Sequence, residues 1–350
     1  MKKYNYIDLV RTITMFVVVI NHILFFYSDN PFWYIYADEK NEMAVYLCEI
    51  LNFTVIPIFV LCSGFLFQAS MQKKEIRMID TVVKRTKRLL LPFFAYGVFW
   101  LVPTYTIFDI PTFGRPKGTS LTDGYKAMLL GQFCDVSWFL LMLFWVTIIW
   151  ILLKALLKKE RIIIGATATA VIFLASRYLL ADVNFYKINQ IDIYIVIFFV
   201  GASFYWIADR LNELSFTVLM LISVLGAAIC AILAPYSSDA YWLYCVLAVV
   251  MPVCMVIFAM AICKLEMQSR VENTQIYKWL LKHNMDIYLM QAPGMYLSFW
   301  LVYPLVGQNF ALCVIIIFAV TIFIDFILVI LLTIIRKLLF GVNKVLRKVD

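Results

Sequence analysis

Arg11 and His22 stand inside the first hydrophobic stretch of the chain with ten residues between them. An ionisable side chain is costly inside a membrane span, so two in one span point to function. Eleven steps of about 100° return a helix to within roughly 20° of its starting direction. Both side chains therefore leave one face, about 16 Å apart along the axis at 1.5 Å per residue. Imidazole titrates near neutrality and can take a proton from an attacking hydroxyl, which makes His22 the candidate general base. The structural alternative is a buried ring satisfied by a nearby carbonyl. Asn21 adjoins His22 but points about 100° away. Arg11 keeps its charge and needs an anion or a carbonyl. Asp8, one turn earlier, is the structural partner; a substrate phosphate or carbonyl is the functional one.

Further candidates follow along the chain. Lys84, Arg85, Lys87 and Arg88 form a basic run that ends in Leu89-Leu90-Leu91-Pro92, just before the third apolar stretch. Arg85 and Arg88 share a helix face. They read either as an anchor to anionic lipid or as a phosphate clamp. Pro57 and Gly64 fall inside the second stretch, with Ser63 between them. Proline frees a carbonyl and glycine admits close approach, so helix packing and a narrow slot for a thin ligand arm both fit. Ser63 has no base at its depth and is not read as a nucleophile. Asp135, at the start of the fourth stretch, is placed either to orient His22 and stabilise its imidazolium or to cap a helix. Asp325, mid-way along the last stretch, must face the bundle or a wet cavity. His283 reads as interfacial.

The elements that position these residues are membrane helices. The 350 residues are 64% hydrophobic and only 15% charged, against about 25% charged in soluble domains. The mean hydropathy is +0.89. The fold class is all-α and polytopic, one transmembrane domain over 1–350. Ten spans of the ~20 residues that a ~30 Å core requires are predicted: 6–28, 44–69, 89–109, 134–157, 161–180, 190–208, 215–234, 240–263, 285–303 and 310–338. Twenty-three of the thirty Lys and Arg lie on the side that holds Lys2, Lys3 and the 70–88 loop. The positive-inside rule makes that side, and both termini, cytoplasmic. The opposite loops carry Asp29, Asp38, Glu39, Glu42, Asp182 and Asp239. The net charge of +8 lies in short loops, which argues against nucleic acid as a partner. Eight cysteines without a CxxC pair, and two distant histidines, argue against a metal site. Met1-Lys2-Lys3 and the following run resemble a signal peptide. The run is too long for one and lacks a small-residue cleavage site, so it reads as a retained span.

The chain resembles the acyltransferase-3 family of multi-spanning membrane acyltransferases. The resemblance rests on Arg11-x10-His22, on Pro57-Ile-Phe-Val-Leu-Cys-Ser63-Gly64-Phe65-Leu66, on Arg88-Leu-Leu-Leu-Pro92, on Ser137-Trp138-Phe139-Leu140 and on Asp286-Ile287-Tyr288-Leu289-Met290-Gln291. It covers essentially the whole chain, in order. It implies ten spans and transfer of an acyl group, usually acetyl, from cytoplasmic acyl-CoA to a hydroxyl of a glycan or lipid-linked saccharide at the outer face. It implies His22 as the essential histidine, Arg11 as its basic companion and the 84–88 run as the region facing CoA. Two departures stand out. Gln291 occupies a position where the family often has histidine, and Ser137 precedes Trp138 where histidine is also common. The chain carries no hydrolase-like C-terminal domain, so a further transfer step would need another protein.

Acetyl-CoA or another acyl-CoA is thus the expected donor substrate, with no metal. A glycan or lipid-linked saccharide is the expected acceptor, and membrane lipid, a second copy or polysaccharide-synthesis proteins are the expected partners. The plasma membrane is the expected location. Direct transfer and an acyl-enzyme both remain open. The competing readings are an exporter or flippase for a polysaccharide or lipid-linked intermediate, which buried Arg, His and Asp also fit, and an inactive scaffold.

Overall fold

The computed structural model of the chain describes residues 4–28, 37, 39–72, 78–110, 118–156, 162–307 and 309–346. Lys2, Lys3, Asp29, Asp38, Lys73, Lys74, Arg77, Arg115, Lys117, Lys158, Lys159, Arg161, Arg347 and Lys348, used above for orientation, lie outside them. Among the described residues there is no strand. The helices are α1 Asn5–Phe25, α2 Glu42–Asn52, α3 Val55–Met71, α4 Met78–Tyr96, α5 Val102–Ile107, α6 Leu121–Leu129, α7 Trp138–Leu156, α8 Ile162–Leu179, α9 Asp192–Glu213, α10 Phe216–Leu233, α11 Tyr241–Ile262, α12 Glu266–Asn273, α13 Gln275–Val306 and α14 Phe310–Leu346.

Eight helical segments are long and apolar enough to cross a membrane: Asn5–Phe25, Glu42–Met71, Met78–Ile107, Asp135–Ala155, Asp192–Glu213, Phe216–Ser237, Tyr241–Ile262 and Phe310–Ile334. The other two predicted spans fall on α8 and α13. α8 is apolar but shorter. α13 is 32 residues long and carries Lys278, Lys282, His283, Asn284, Asp286 and Gln291, so its composition conceals its length.

Two predicted boundaries need correction. The second span is interrupted: α2 ends at Asn52 and α3 starts at Val55. Pro57 therefore lies in the first turn of α3, where backbone N–H groups have no helical acceptor to lose, and it starts a helix instead of opening one. The third span begins earlier than position 89. The 84–88 cations are part of α4, whose exposed and buried positions alternate at helical spacing, so the basic run is a helix face and not a loop.

α1 is the central post. It packs against α2, α3, α11, α13 and α14, and Ile7, Val18, Val19 and Ile23 are fully buried. Its hydroxyls close onto the preceding turn, with Thr14 Oγ1 donating to the Val10 carbonyl at 2.7 Å. α3 and α9 approach most closely where two glycines face each other's backbone. A Cβ on Gly64 would stand 2.1 Å from the Phe198 carbonyl oxygen, and one on Gly201 would stand 2.0 Å from that of Leu61. Between α4 and α5 the chain makes a π turn at Gly97–Leu101. One extra residue in a turn rotates everything beyond it by about 100°. That rotation precedes Tyr105, which matters below.

Candidate active site

Arg11 from α1, Ser63 from α3 and Arg85 and Arg88 from α4 converge on one cavity of about 170 Å³. Phe59, Phe139, Asn284 and Tyr288 also line it, and among the described residues no Asp or Glu does. Arg88 lies within Coulombic reach of Arg11, and Arg85 within reach of Arg88. Three guanidiniums that converge without a lining carboxylate repel one another, and an entering anion relieves that repulsion. Arg85 also lies over the Phe67 ring, 5.5 Å from its centroid, which leaves its planar fork ordered.

The other candidates from the basic run and the second span separate from this group. Lys84 and Lys87 are exposed and do not line the cavity. The Ser63 hydroxyl donates to the Phe59 carbonyl at 2.7 Å, so its own helix satisfies it. Gly64 faces α9 and not the cavity. Its missing side chain brings two helices together, and the slot reading does not apply to it.

His22 stands one level beyond. Asn284 Nδ2 donates to the Arg11 carbonyl at 3.2 Å, which fixes the level of α13 against α1. Seven residues further along α13, about 10 Å at 1.5 Å per residue, the Gln291 side chain lies beside the His22 ring. Gln291 is fully buried, and neither atom of its amide completes a hydrogen bond of good geometry. His22 is half-buried and tilts against Phe25 at 5.5 Å between centroids. The reading of α1 as one face with two functional levels thus has a counterpart on α13: Asn284 at the level of Arg11, Gln291 at the level of His22.

Asp135 is held elsewhere than sequence geometry suggested. It opens a short 3-10 turn, Asp135–Ser137, with a φ of 39°, in the left-handed region that costs an L residue energy. Tyr105 Oη donates to its Oδ2 at 2.5 Å. Its carboxylate is engaged by that tyrosine, and no ion pair between Asp135 and His22 occurs among the described residues. Tyr288 Oη donates to the carbonyl of Val136 at 2.7 Å, so two tyrosines from distant helices clamp one turn. The Ser137 hydroxyl donates to the Cys134 carbonyl.

Asp325 is fully buried on α14, and neither carboxylate oxygen has a hydrogen-bond partner. Its Oδ1 fills the space over Gly294, where a Cβ would meet it at 2.5 Å. It faces the bundle, as its cost in lipid requires. His283 is buried within the protein. Its Nδ1 lies 3.1 Å from Asp286 Oδ2, and its ring lies 4.8 Å from that of Trp279. Burial of its helix face between α13 and α14 accounts for that. Among the described residues no cluster of side chains suits a metal ion.

Sequence reasoning missed Tyr105, Asn284, Tyr288 and Phe59 as parts of the site. For α13 a signal existed: Asn284, Tyr288 and Gln291 recur at helical spacing on one stripe. Tyr105 gave none, because the π turn redirects it.

This arrangement puts an arginine-lined cavity at one level and a histidine at the next. The model of the acyltransferase-3 family, described as an acyltransferase domain, matches residues 4–334. The chain belongs to the acyltransferase-3 family. No curated protein and no solved structure matches it. The acyltransferase family match spans both levels of the site and nearly every helix, so this is a multi-pass membrane acyltransferase.

Proposed function

We propose that the protein moves an acyl group, acetyl in the first place, from cytoplasmic acyl-CoA to a hydroxyl of a cell-surface glycan or lipid-linked saccharide. The observation that carries this reading is the cavity lined by Arg11, Arg85 and Arg88 and by no carboxylate. A CoA nucleotide brings several phosphate charges, and guanidinium forks bind phosphate through paired, charge-assisted hydrogen bonds. The long, thin pantetheine arm then points along α1 toward His22. There, His22 takes the proton of the acceptor hydroxyl as its oxygen attacks the thioester carbonyl carbon. The carbon–sulfur bond breaks, and the departing thiolate takes the proton back from the imidazolium. Gln291, neutral and beside the ring, can orient imidazole but cannot exchange a proton at neutral pH.

Under this reading the Arg85 end of the bundle is cytoplasmic, the His22 end opens outward, and the membrane is the plasma membrane. The test is turnover of acetyl-CoA by purified protein in proteoliposomes supplied with the cell's own envelope glycans. Wild type is expected to release CoA. His22→Ala is expected to lose about 10²–10⁴ of that rate, the usual contribution of a general base, while still binding acetyl-CoA. A protein that neither binds nor consumes acetyl-CoA but carries saccharide across the bilayer would instead be the exporter or flippase.

A further inference from the structure

We propose that Phe59, Phe139 and Tyr288 form a collar between the cationic cavity and His22, and that this collar sets the size of the acyl group that reaches the base. The inference rests on acyl-CoA being the occupant of the cavity. The three side chains come from α3, α7 and α13 and line the cavity together with the cations. Each ring touches both others: centroids are 6.0 Å apart for Phe59–Phe139, 6.3 Å for Phe59–Tyr288 and 5.8 Å for Phe139–Tyr288. All three are buried, at 8%, 3% and 4% exposure.

Their level follows from the helices that carry them. Phe59 is one turn from Ser63 on α3, on the side away from Arg85. Tyr288 stands one turn beyond Asn284, which is bonded to the Arg11 backbone, and one turn short of Gln291, which lies beside His22. A thioester whose phosphates stay at Arg85 and Arg88 must displace at least one of these rings to reach His22. Edge-to-face ring contacts are specific in geometry, so the space gained when one ring swings is small and of fixed shape. Tyr288 is further restrained, because its hydroxyl is tied to the Val136 carbonyl at 2.7 Å. In a close-fitting apolar passage one methylene more or less is worth about 10–200-fold in selectivity. The phosphates are held by the arginines of the same cavity, so what the collar adds is a limit on acyl length.

The test compares kcat/KM for acetyl-, propionyl-, butyryl- and hexanoyl-CoA in wild type, Phe59→Leu, Phe139→Leu and Tyr288→Phe, with CoA affinity and thermal unfolding measured alongside. Leucine opens the collar while keeping it apolar. Tyr288→Phe keeps the ring and removes only its tie, so it remains informative if a leucine variant fails to fold. The leucine variants are expected to raise the butyryl-to-acetyl ratio at least tenfold, and Tyr288→Phe at least threefold, with any change in CoA affinity common to all four donors. Folded variants that bind CoA and keep the wild-type ratio would overturn the collar and leave the donor reading intact. A wild-type protein that binds no CoA would overturn the donor reading, and the collar with it.

Discussion

Arg11 and His22 share one face of α1 at different depths, and the proposed mechanism gives them different roles. The register between them was legible from arithmetic alone, because a helix returns to its starting face after eleven residues. What surrounds each was not legible, since Arg85, Arg88 and Asn284 come to Arg11 from distant helices. Lysine keeps the charge of Arg11 but loses the planar fork. Arg11→Lys is therefore expected to weaken acetyl-CoA binding about tenfold without unfolding the protein. Calorimetric titration checks it; unchanged affinity would reduce Arg11 to a structural cation. Asp135 shows the opposite lesson. Its depth suggested a partnership with His22, and the structure gives its carboxylate to Tyr105. A π turn, which no hydropathy pattern announces, brings Tyr105 there. Tyr105→Phe leaves a buried carboxylate short of a donor and is expected to destabilise by about 1–3 kcal/mol. A melting temperature equal to wild type would show that another group replaces the tyrosine.

At the scale of elements, glycine has more than one use, and sequence alone did not separate them. Gly64 suggested a slot for a ligand arm; it is a seat for the α9 backbone, paired with Gly201. Backbone cannot yield as a side-chain tip can, so Gly201→Ala must push α3 and α9 apart. A loss of at least about 1–3 kcal/mol is expected, the usual cost of overpacking, read as a clear fall in melting temperature in detergent. Gly165→Ala is the control. Its nearest neighbour would be a Phe199 ring carbon at 3.2 Å, and alanine gains up to about 1 kcal/mol of helix propensity over glycine. Equal effects at the two sites would remove the close-packing account of α3 and α9. α4 was misread in a different way. The shared helix face of Arg85 and Arg88 was expected; what differs is that the helix starts at Met78, well before the apolar stretch, and Arg85 and Arg88 line the cavity while Lys84 and Lys87 do not.

For the whole molecule, composition pointed to the all-α polytopic class, and eight of the ten predicted spans fall on segments long and apolar enough to cross a membrane, α8 and α13 being the other two. α13 is one exception: of the polar residues that lower its hydropathy, Asn284 lines the cavity and Gln291 lies beside His22. A membrane helix that must present Asn284, Tyr288 and Gln291 inward cannot also look uniformly apolar. The site is thus an assembly of five helices, with cations at one level, aromatic rings above them and His22 beyond. Orientation across the membrane belongs to the same scale. Single cysteines placed at Lys84 and at Asp239 in a cysteine-free background are expected to react with a membrane-impermeant maleimide from opposite sides of intact cells, Asp239→Cys from outside. Labelling of Lys84→Cys from outside would invert the proposed topology.

The central claim is that the cavity between α1, α3, α4, α7 and α13 holds the acyl donor by its phosphates. Titration of purified wild type and of the Arg85→Gln/Arg88→Gln double variant with acetyl-CoA tests it most directly. The account expects saturable binding by wild type that weakens with salt, and an affinity at least tenfold lower in a double variant that retains its orientation. Equal affinity in the two proteins, or no binding by wild type, would contradict it.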